Sequence, residues 1–291
     1  MELTQKTIVI TGASSGIGLA AASALAGLGA RVIGVGRSRE RCEEARQKIL
    51  AQTPGARIEF ALADLSAQRA VLGLAAELRE RLAGAALDVL VNNAGQVASW
   101  YTPTVDGYEL QFAVNHLATF LLTHELLPAL QAAPAGRVLT TSSGSHRHTR
   151  MHWNDVMLRR GYNPLSAYSQ SKMANVLFTA EFNRREGASG PRAYAIDPGL
   201  VNTNIGMKGT GGLVSWIWSL RARGGQPPEV GAATIVHLAS QERLEDPLAI
   251  YWKDSRPLAP DLYALREDEA ARLWALSERL CGLRWPPEPE G

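Results

Sequence analysis

Thr7-Ile-Val-Ile-Thr-Gly-Ala-Ser-Ser-Gly-Ile-Gly18 is the stretch that decides the fold. Its first four residues are apolar or β-branched, as a buried strand requires, and the run stops at a glycine turn. Ala- and Leu-rich sequence, the composition of a helix, follows through Leu28. Glycines between a strand and a helix let the backbone turn tightly and come close to a ligand. The helix start then offers free N–H groups and the positive end of its dipole, a ready site for a pyrophosphate. A glycine turn also serves as a plain structural cap. Its place at the head of the first strand–turn–helix unit is what favours a cofactor. Gly12, Ser14, Ser15, Gly16, Ile17 and Gly18 are the residues expected to meet it. The spacing is G-x-x-x-G-x-G, distinct from the G-x-G-x-x-G of the common dinucleotide loop, and no Gly-Lys-Ser/Thr ending of a triphosphate loop follows.

The same rhythm runs on through the chain. Short apolar runs at Arg31–Val35, Arg57–Leu62, Val89–Asn92, Arg137–Thr141 and Arg192–Ile196 read as strands buried on both faces. Helical patterns lie between them at Gly16–Leu28, Arg39–Gln52, Ser66–Leu82, Gly107–Ala132 and Ala167–Arg185. Strict alternation predicts a doubly wound, mostly parallel α/β sheet of Rossmann type. After Ile196 the rhythm breaks. Residues 202–228 form a Gly-, Trp- and Arg-containing insert before a helix near Pro228–Ser240. Ligands in such folds bind outside the carboxyl ends of the strands, so an insert there reads as a substrate lid. No linker composition appears, which predicts one domain over residues 1–285 and a flexible tail over 286–291.

Composition narrows the function. Of 291 residues, 46% are hydrophobic, and 30 basic side chains nearly balance 28 acidic ones, so no nucleic-acid partner is expected. Cys42 and Cys281 are too few and too far apart for a zinc cluster or a disulfide framework, and read as free thiols in a reducing compartment. No apolar run reaches the ~18 residues of a membrane span, and the chain enters a strand at once without a leader. A cytoplasmic protein without a transmembrane span is the expectation.

Three motifs in order, Thr11-Gly-x-x-x-Gly-Ile-Gly18, Asn92-Asn-Ala-Gly95 and Tyr168-Ser-Gln-Ser-Lys172, resemble the short-chain dehydrogenase/reductase family across nearly the whole chain. Ala167-Tyr-Ser-Gln-Ser-Lys-Met-Ala-Asn-Val-Leu-Phe178 and Arg272-Leu-Trp-Ala-Leu-Ser-Glu-Arg-Leu-Cys-Gly-Leu-Arg-Trp285 are similar to its retinol dehydrogenase and WW-domain oxidoreductase branch. The animal retinol dehydrogenases usually carry a membrane anchor before the first strand, a feature not expected here. The resemblance implies a nicotinamide cofactor, a tyrosine proton donor, and homo-oligomers as a common state of the fold. It also implies cofactor contacts for Asp64-Leu65 and for Asn92, Ala94 and Gly95. Pro198, Gly199, Val201 and Thr203 match its nicotinamide-side loop. Read without it, Asp64 is equally a helix-capping residue and Asn92–Gly95 a strand-ending turn.

An NAD enzyme places Asp or Glu at the end of the second strand to hold the ribose 2′-hydroxyl. Here that place reads Gly34-Val-Gly-Arg-Ser38, with Glu40 the nearest acid. A missing carboxylate and a guanidinium at Arg37, beside Ser38, favour a 2′-phosphate, hence NADP(H) over NAD(H).

Tyr168 and Lys172 are four residues apart and share one helix face. Lowering a tyrosine pKa of ~10 by ~3 units takes about 4 kcal/mol, within reach of two close cations in a partly dry site. Many family members carry a serine 13 residues before the tyrosine, where this chain has Asp155; the branch's insertion instead places Ser143 25 residues before Tyr168, with Ser142 as its rival. Ser143 would hydrogen-bond the substrate oxygen. Asn115 matches the family's helix asparagine, which is thought to hold a water linking Lys172 to solvent. His116 reads as packed, and His146, His148 and His152 as a loop at the cleft rim, since their spacing fits no closed metal site.

These residues predict carbonyl–alcohol interconversion with Tyr168 as the acid/base. Leu213, Val214, Trp216, Ile217 and Trp218 in the lid point to a lipophilic substrate, or else pack the lid or a subunit contact. The rival readings are a catalytically weak NADP(H)-binding sensor or scaffold, and an epimerase-type relative acting on a nucleotide sugar.

Overall fold

The computed structural model describes residues 2–201 and 225–287. In chain order the elements are β1 (Thr7–Thr11), α1 (Gly16–Gly27), β2 (Arg31–Gly36), α2 (Arg39–Gln52), β3 (Ile58–Leu62), α3 (Gln68–Leu82) and β4 (Val89–Asn92). A helical stretch follows as α4 (Leu110–Phe112), a π turn (Ala113–Leu117), α5 (Ala118–Glu125) and α6 (Leu127–Gln131). Then come β5 (Arg137–Thr141), a 3-10 turn (Gly144–His148), α7 (Pro164–Glu186), β6 (Arg192–Asp197), α8 (Pro228–Ser240), β7 (Tyr251–Lys253), β8 (Arg256–Pro257) and α9 (Glu267–Cys281).

One sheet holds all eight strands in the order β3-β2-β1-β4-β5-β6-β7-β8. Every pairing is parallel except the last, β7 with β8. The order reverses between β1 and β4, so the loops after these two strands open one crevice at the carboxyl edge. The sheet buries both faces. Ile8, Ile10, Val32, Leu139 and Ile196 point into the layer with α1 and α8, while Val9, Ile33, Leu90 and Val138 point into the layer with α3, α5 and α7. Alternate residues of each strand serve opposite cores, which is why the strands read as unbroken apolar runs.

The six expected strands and the parallel sheet are present; the elements β7, β8 and α9 were not legible. β7 is three residues long and β8 is two with a proline, tolerable only because β8 is the edge. α9 opens with Glu267, Asp268 and Glu269 at its positive end and stops at Gly282, whose φ is +66°. Its Trp274 stacks on Phe178 of α7 at 5.7 Å and meets Trp285 edge-on at 4.7 Å. The Arg272–Trp285 stretch therefore docks the carboxyl end on α7. The helix expected over Gly107–Ala132 is interrupted: Glu109 caps its start through Gln111 and Phe112, a π turn holds Asn115, and it breaks before Pro128. α7 begins at Pro164 rather than Ala167, capped by the Asn163 side chain.

Residues 202–224 of the expected lid, with Thr203 and the Leu213–Trp218 run, lie outside the described residues. The ends of that insert sit side by side, Val201 bridging Gln226 in parallel. Among the described residues no helix is long and apolar enough to cross a membrane.

Candidate active site

A cleft of about 960 Å³ runs along the carboxyl edge, from Arg37 and Asp64 past Gly12–Gly18 to Tyr168 and Pro198. Its floor is a junction of two loops. The Thr11 hydroxyl accepts the N–H groups of Asn93 and Ala94, both at 3.0 Å, and the Asn93 amide donates to the Thr11 carbonyl at 3.0 Å. The glycines are what let these loops meet. Gly12 has φ +70°, and a Cβ on Gly18 would lie 2.3 Å from the Gly12 oxygen and 2.5 Å from the Asn93 amide. Gly18→Ala is accordingly expected to push the loop off the Asn93 turn. Overpacking against backbone costs about 1–3 kcal/mol, so cofactor affinity should fall on the order of tenfold or more, with a lower melting temperature. A fluorescence titration and a thermal melt of the variant check this; unchanged affinity would be evidence against the loop's role.

At the far end, a side chain at position 36 is shut out, because a Cβ on Gly36 would sit 2.4 Å from the buried Cys42 sulfur. The first side chain beyond β2 is therefore Arg37. Its guanidinium lies 4.0 Å from the Asp64 carboxylate with both groups about half exposed, a loose pair. Ser38 spends its hydroxyl capping α2 through the Arg41 N–H, while Asp64 accepts the Ser66 N–H at 3.0 Å. Arg41, one turn on from Arg37, lines the same end, as do Glu40 and Leu65.

The reactive groups converge at the middle. Lys172 is 2% exposed, and its ammonium donates to the Thr141 carbonyl at 2.9 Å and lies 5.5 Å from the centre of the Tyr168 ring. Burial pulls its pKa down to about 8. The two candidate serines both border the cleft and differ in what their hydroxyls do. Ser142 is 1% exposed and donates to the Lys172 carbonyl, tying β5 to α7. Ser143 faces the cleft, its Oγ accepting the Ser145 N–H at 3.3 Å, which leaves its own proton for a ligand. Asn115 is buried in the π turn. Its side chain accepts the Gln96 N–H and donates to the Gln96 carbonyl and the Ser171 hydroxyl, so what it does here is hold the Gln96 loop on α7.

Of the other expected residues, Ser14, Ser15, Gly16, Ile17, Ala94, Gly95, Pro198, Gly199 and Val201 line the cleft. Asn92 does not: it is buried and its amide goes to Thr123 at 3.1 Å, and Asn93 stands at the cleft in its place. Sequence reading missed Asn93, Arg41, Gln96, Ser145 and Ser169. Helical spacing from Arg37 was the available signal for Arg41; nothing local announces Ser145. Among the described residues no group of His, Cys, Asp or Glu is arranged to hold a metal. His116 meets Ser277 at 2.8 Å, and burial pulls its pKa down to about 4. His148 lines the cleft, while the backbone N–H of His152 bonds Gln170.

The residues fit a nicotinamide dinucleotide: a glycine floor that side chains would fill, guanidinium groups at one end, and a tyrosine–lysine pair at the other. Comparison with known proteins agrees. Residues 6–211 match the short chain dehydrogenase family. Human retinol dehydrogenase 13 is 36% identical over 97% of this chain and 86% of its own. A crystal structure of an uncharacterized protein from Mycobacterium paratuberculosis is 35% identical, covers 98% of this chain and 97% of that one, and superposes with a TM-score of 0.77. A metagenomic short-chain oxidoreductase in complex with NADP is 27% identical over 86% of this chain and 96% of its own, with a TM-score of 0.59.

Proposed function

The chain belongs to the short-chain dehydrogenase/reductase family, in its retinol dehydrogenase-like branch, whose members are oxidoreductases acting on CH–OH and C=O groups with NAD(P), and on that premise we propose that it prefers NADP(H), uses Tyr168 as acid/base and takes a lipophilic carbonyl or alcohol. The observation that carries this reading is the buried Lys172 ammonium beside the Tyr168 ring in the same cleft as Ser143 and the glycine loop. When bound, the cofactor supplies or accepts the hydride. Gly12–Gly18 hold its pyrophosphate, and Lys172 its ribose hydroxyls. Tyr168 holds the proton that passes to the carbonyl oxygen, or takes it from the alcohol in the reverse direction. Ser143 donates to that oxygen and stabilises its developing charge. The Lys172 cation, fixed on the Thr141 carbonyl, favours the phenolate.

Phosphate preference is supported by Arg37 and Arg41 at a strand end where Gly36 excludes a carboxylate, and by the NADP complex of the metagenomic relative. A lipophilic substrate is supported by the apolar run 213–218 in an insert whose end, Val201, lines the cleft. The test is NADPH and NADH consumption against a panel of aldehydes, ketones and retinoids. A hydrogen bond to a charged group contributes about 1.5–3 kcal/mol, so Arg37→Ala and Arg41→Ala should each raise the KM for NADPH roughly 10- to 100-fold and leave that for NADH nearly unchanged. Equal use of both cofactors, untouched by either variant, would remove the phosphate preference.

A further inference from the structure

Ser143 begins a loop, Ser143–Met151, that is stitched to a segment more than a hundred residues away. Arg147 donates to the Ala259 carbonyl, Arg150 pairs with Asp261 at 3.0 Å, and the Met151 N–H bonds the Tyr263 hydroxyl at 3.3 Å. The innermost stitch is His146, whose side chain has no exposure at all. Its Nε2 accepts the backbone N–H of Asp261 at 3.1 Å, so that nitrogen carries no proton. Its Nδ1 then bears the hydrogen and donates it to the Ser143 carbonyl at 2.8 Å. The ring packs on Tyr251 of β7 at 4.8 Å, and a Cβ on Gly144 would touch the Asp197 carboxylate at 3.2 Å. Ser142 on the other side is pinned by its N–H to Ile196 and its hydroxyl to Lys172. What remains to set the direction of Ser143 is the Ser145 N–H on its Oγ and its own carbonyl, which accepts both the backbone N–H and the ring Nδ1–H of His146.

We propose that His146 is a positioning residue for Ser143: the imidazole ties the Ser143 carbonyl to the Asp261 backbone, so the segment after the last strand sets where the Ser143 hydroxyl points. The assignment rests on the role given to Ser143 above. An imidazolium at this place would set an N–H against the Asp261 N–H, so the ring works as the neutral Nδ1–H form. Burial, foremost, and the Arg147 charge also act against protonation, opposed by the Ser143 carbonyl and by Asp261 and Asp197.

Three variants of the full-length protein separate the two bonds. His146→Asn keeps a donor at the Nδ1 position and loses the Asp261 acceptor. His146→Gln places an acceptor near Nε2 and loses the donor to Ser143, and His146→Leu loses both. The expected order in kcat for carbonyl reduction is wild type above all three, with Asn, Gln and Leu each at least about tenfold lower because loss of either bond unties Ser143 from Asp261, all with the KM for NADPH unchanged. Wild-type kcat in Asn or in Gln, or losses that follow melting temperature alone, would overturn the proposal. A readout free of turnover is the long-range ¹H–¹⁵N histidine spectrum. An Nδ1–H tautomer at pH 7 is expected; an Nε2–H tautomer or an imidazolium overturns the proposal even if the catalytic reading stands. A wild type with the expected tautomer but no turnover on any carbonyl overturns the Ser143 role, and with it the functional part of the assignment.

Discussion

Replacing Tyr168 by Phe is expected to lower kcat for NADPH-dependent carbonyl reduction by about 10²–10⁴-fold, the range lost when a positioned acid–base group is removed. The substitution is clean because the ring stays. Lys172 keeps its place 5.5 Å from the ring centre and its bond to the Thr141 carbonyl, and the helix is fixed by its Asn163 cap and its packing under α9. Only the proton-bearing oxygen is lost, so cofactor binding should hold while the chemical step fails. Single-turnover measurement of NADPH absorbance isolates that step from product release. A variant that reduces the substrate within tenfold of the wild type would remove Tyr168 from the role.

Lys172→Met is expected to separate activity from stability. Without the cation beside its ring the Tyr168 phenolate is less favoured, and the pH profile of alcohol oxidation should move up by as much as ~3 units, toward the ordinary tyrosine value of ~10. At neutral pH oxidation then falls by up to about 10³-fold. Folding should not suffer in the same way. Lys172 is buried, and its pKa drops from 10.5 to about 8 on folding, with burial as the cause. A lysine with a depressed folded-state pKa carries a penalty that is complete below pH 8. The penalty fades as pH rises from 8 toward 10.5, where the unfolded chain also loses its proton. Its size is on the order of 3 kcal/mol. Methionine fills similar volume without a charge, and the Thr141 carbonyl keeps the Asn175 amide at 3.2 Å. The variant should therefore melt no lower than the wild type at pH 7, and the wild type should gain stability between pH 8 and 10 relative to it. A variant that unfolds at pH 7 would show that the Thr141 bond outweighs the desolvation.

Much of this was legible from local signals. The first strand–turn–helix, the alternation that follows, and the Tyr168–Lys172 spacing all concern residues within one or two turns of each other. The insert after β6 was visible as a break in that rhythm. The carboxyl-terminal third was harder to read, because β7 and β8 are too short to show a period and are stabilised by β6 and by the layers around them. α9 is amphipathic but was overlooked, since its apolar stripe has meaning only once α7 is there to receive Trp274.

The sequence by itself determined the parallel doubly wound sheet, the cofactor loop and the helix that pairs Tyr168 with Lys172. Only the tertiary structure distinguished neighbours: Ser142, whose hydroxyl is spent on the Lys172 carbonyl, from Ser143, and Asn93 at the cleft from the buried Asn92. Successive side chains on an extended segment point to opposite sides, so a change of one position in parity exchanges a cleft residue for a buried one. That parity is set by what packs on each side, here Lys172 against Ser142 and Thr123 against Asn92, and both partners lie about thirty residues away. The hold on Ser143 through His146 comes from still farther, at Asp261, a contact that exists only after the sheet has brought β5 and β7 onto either side of β6.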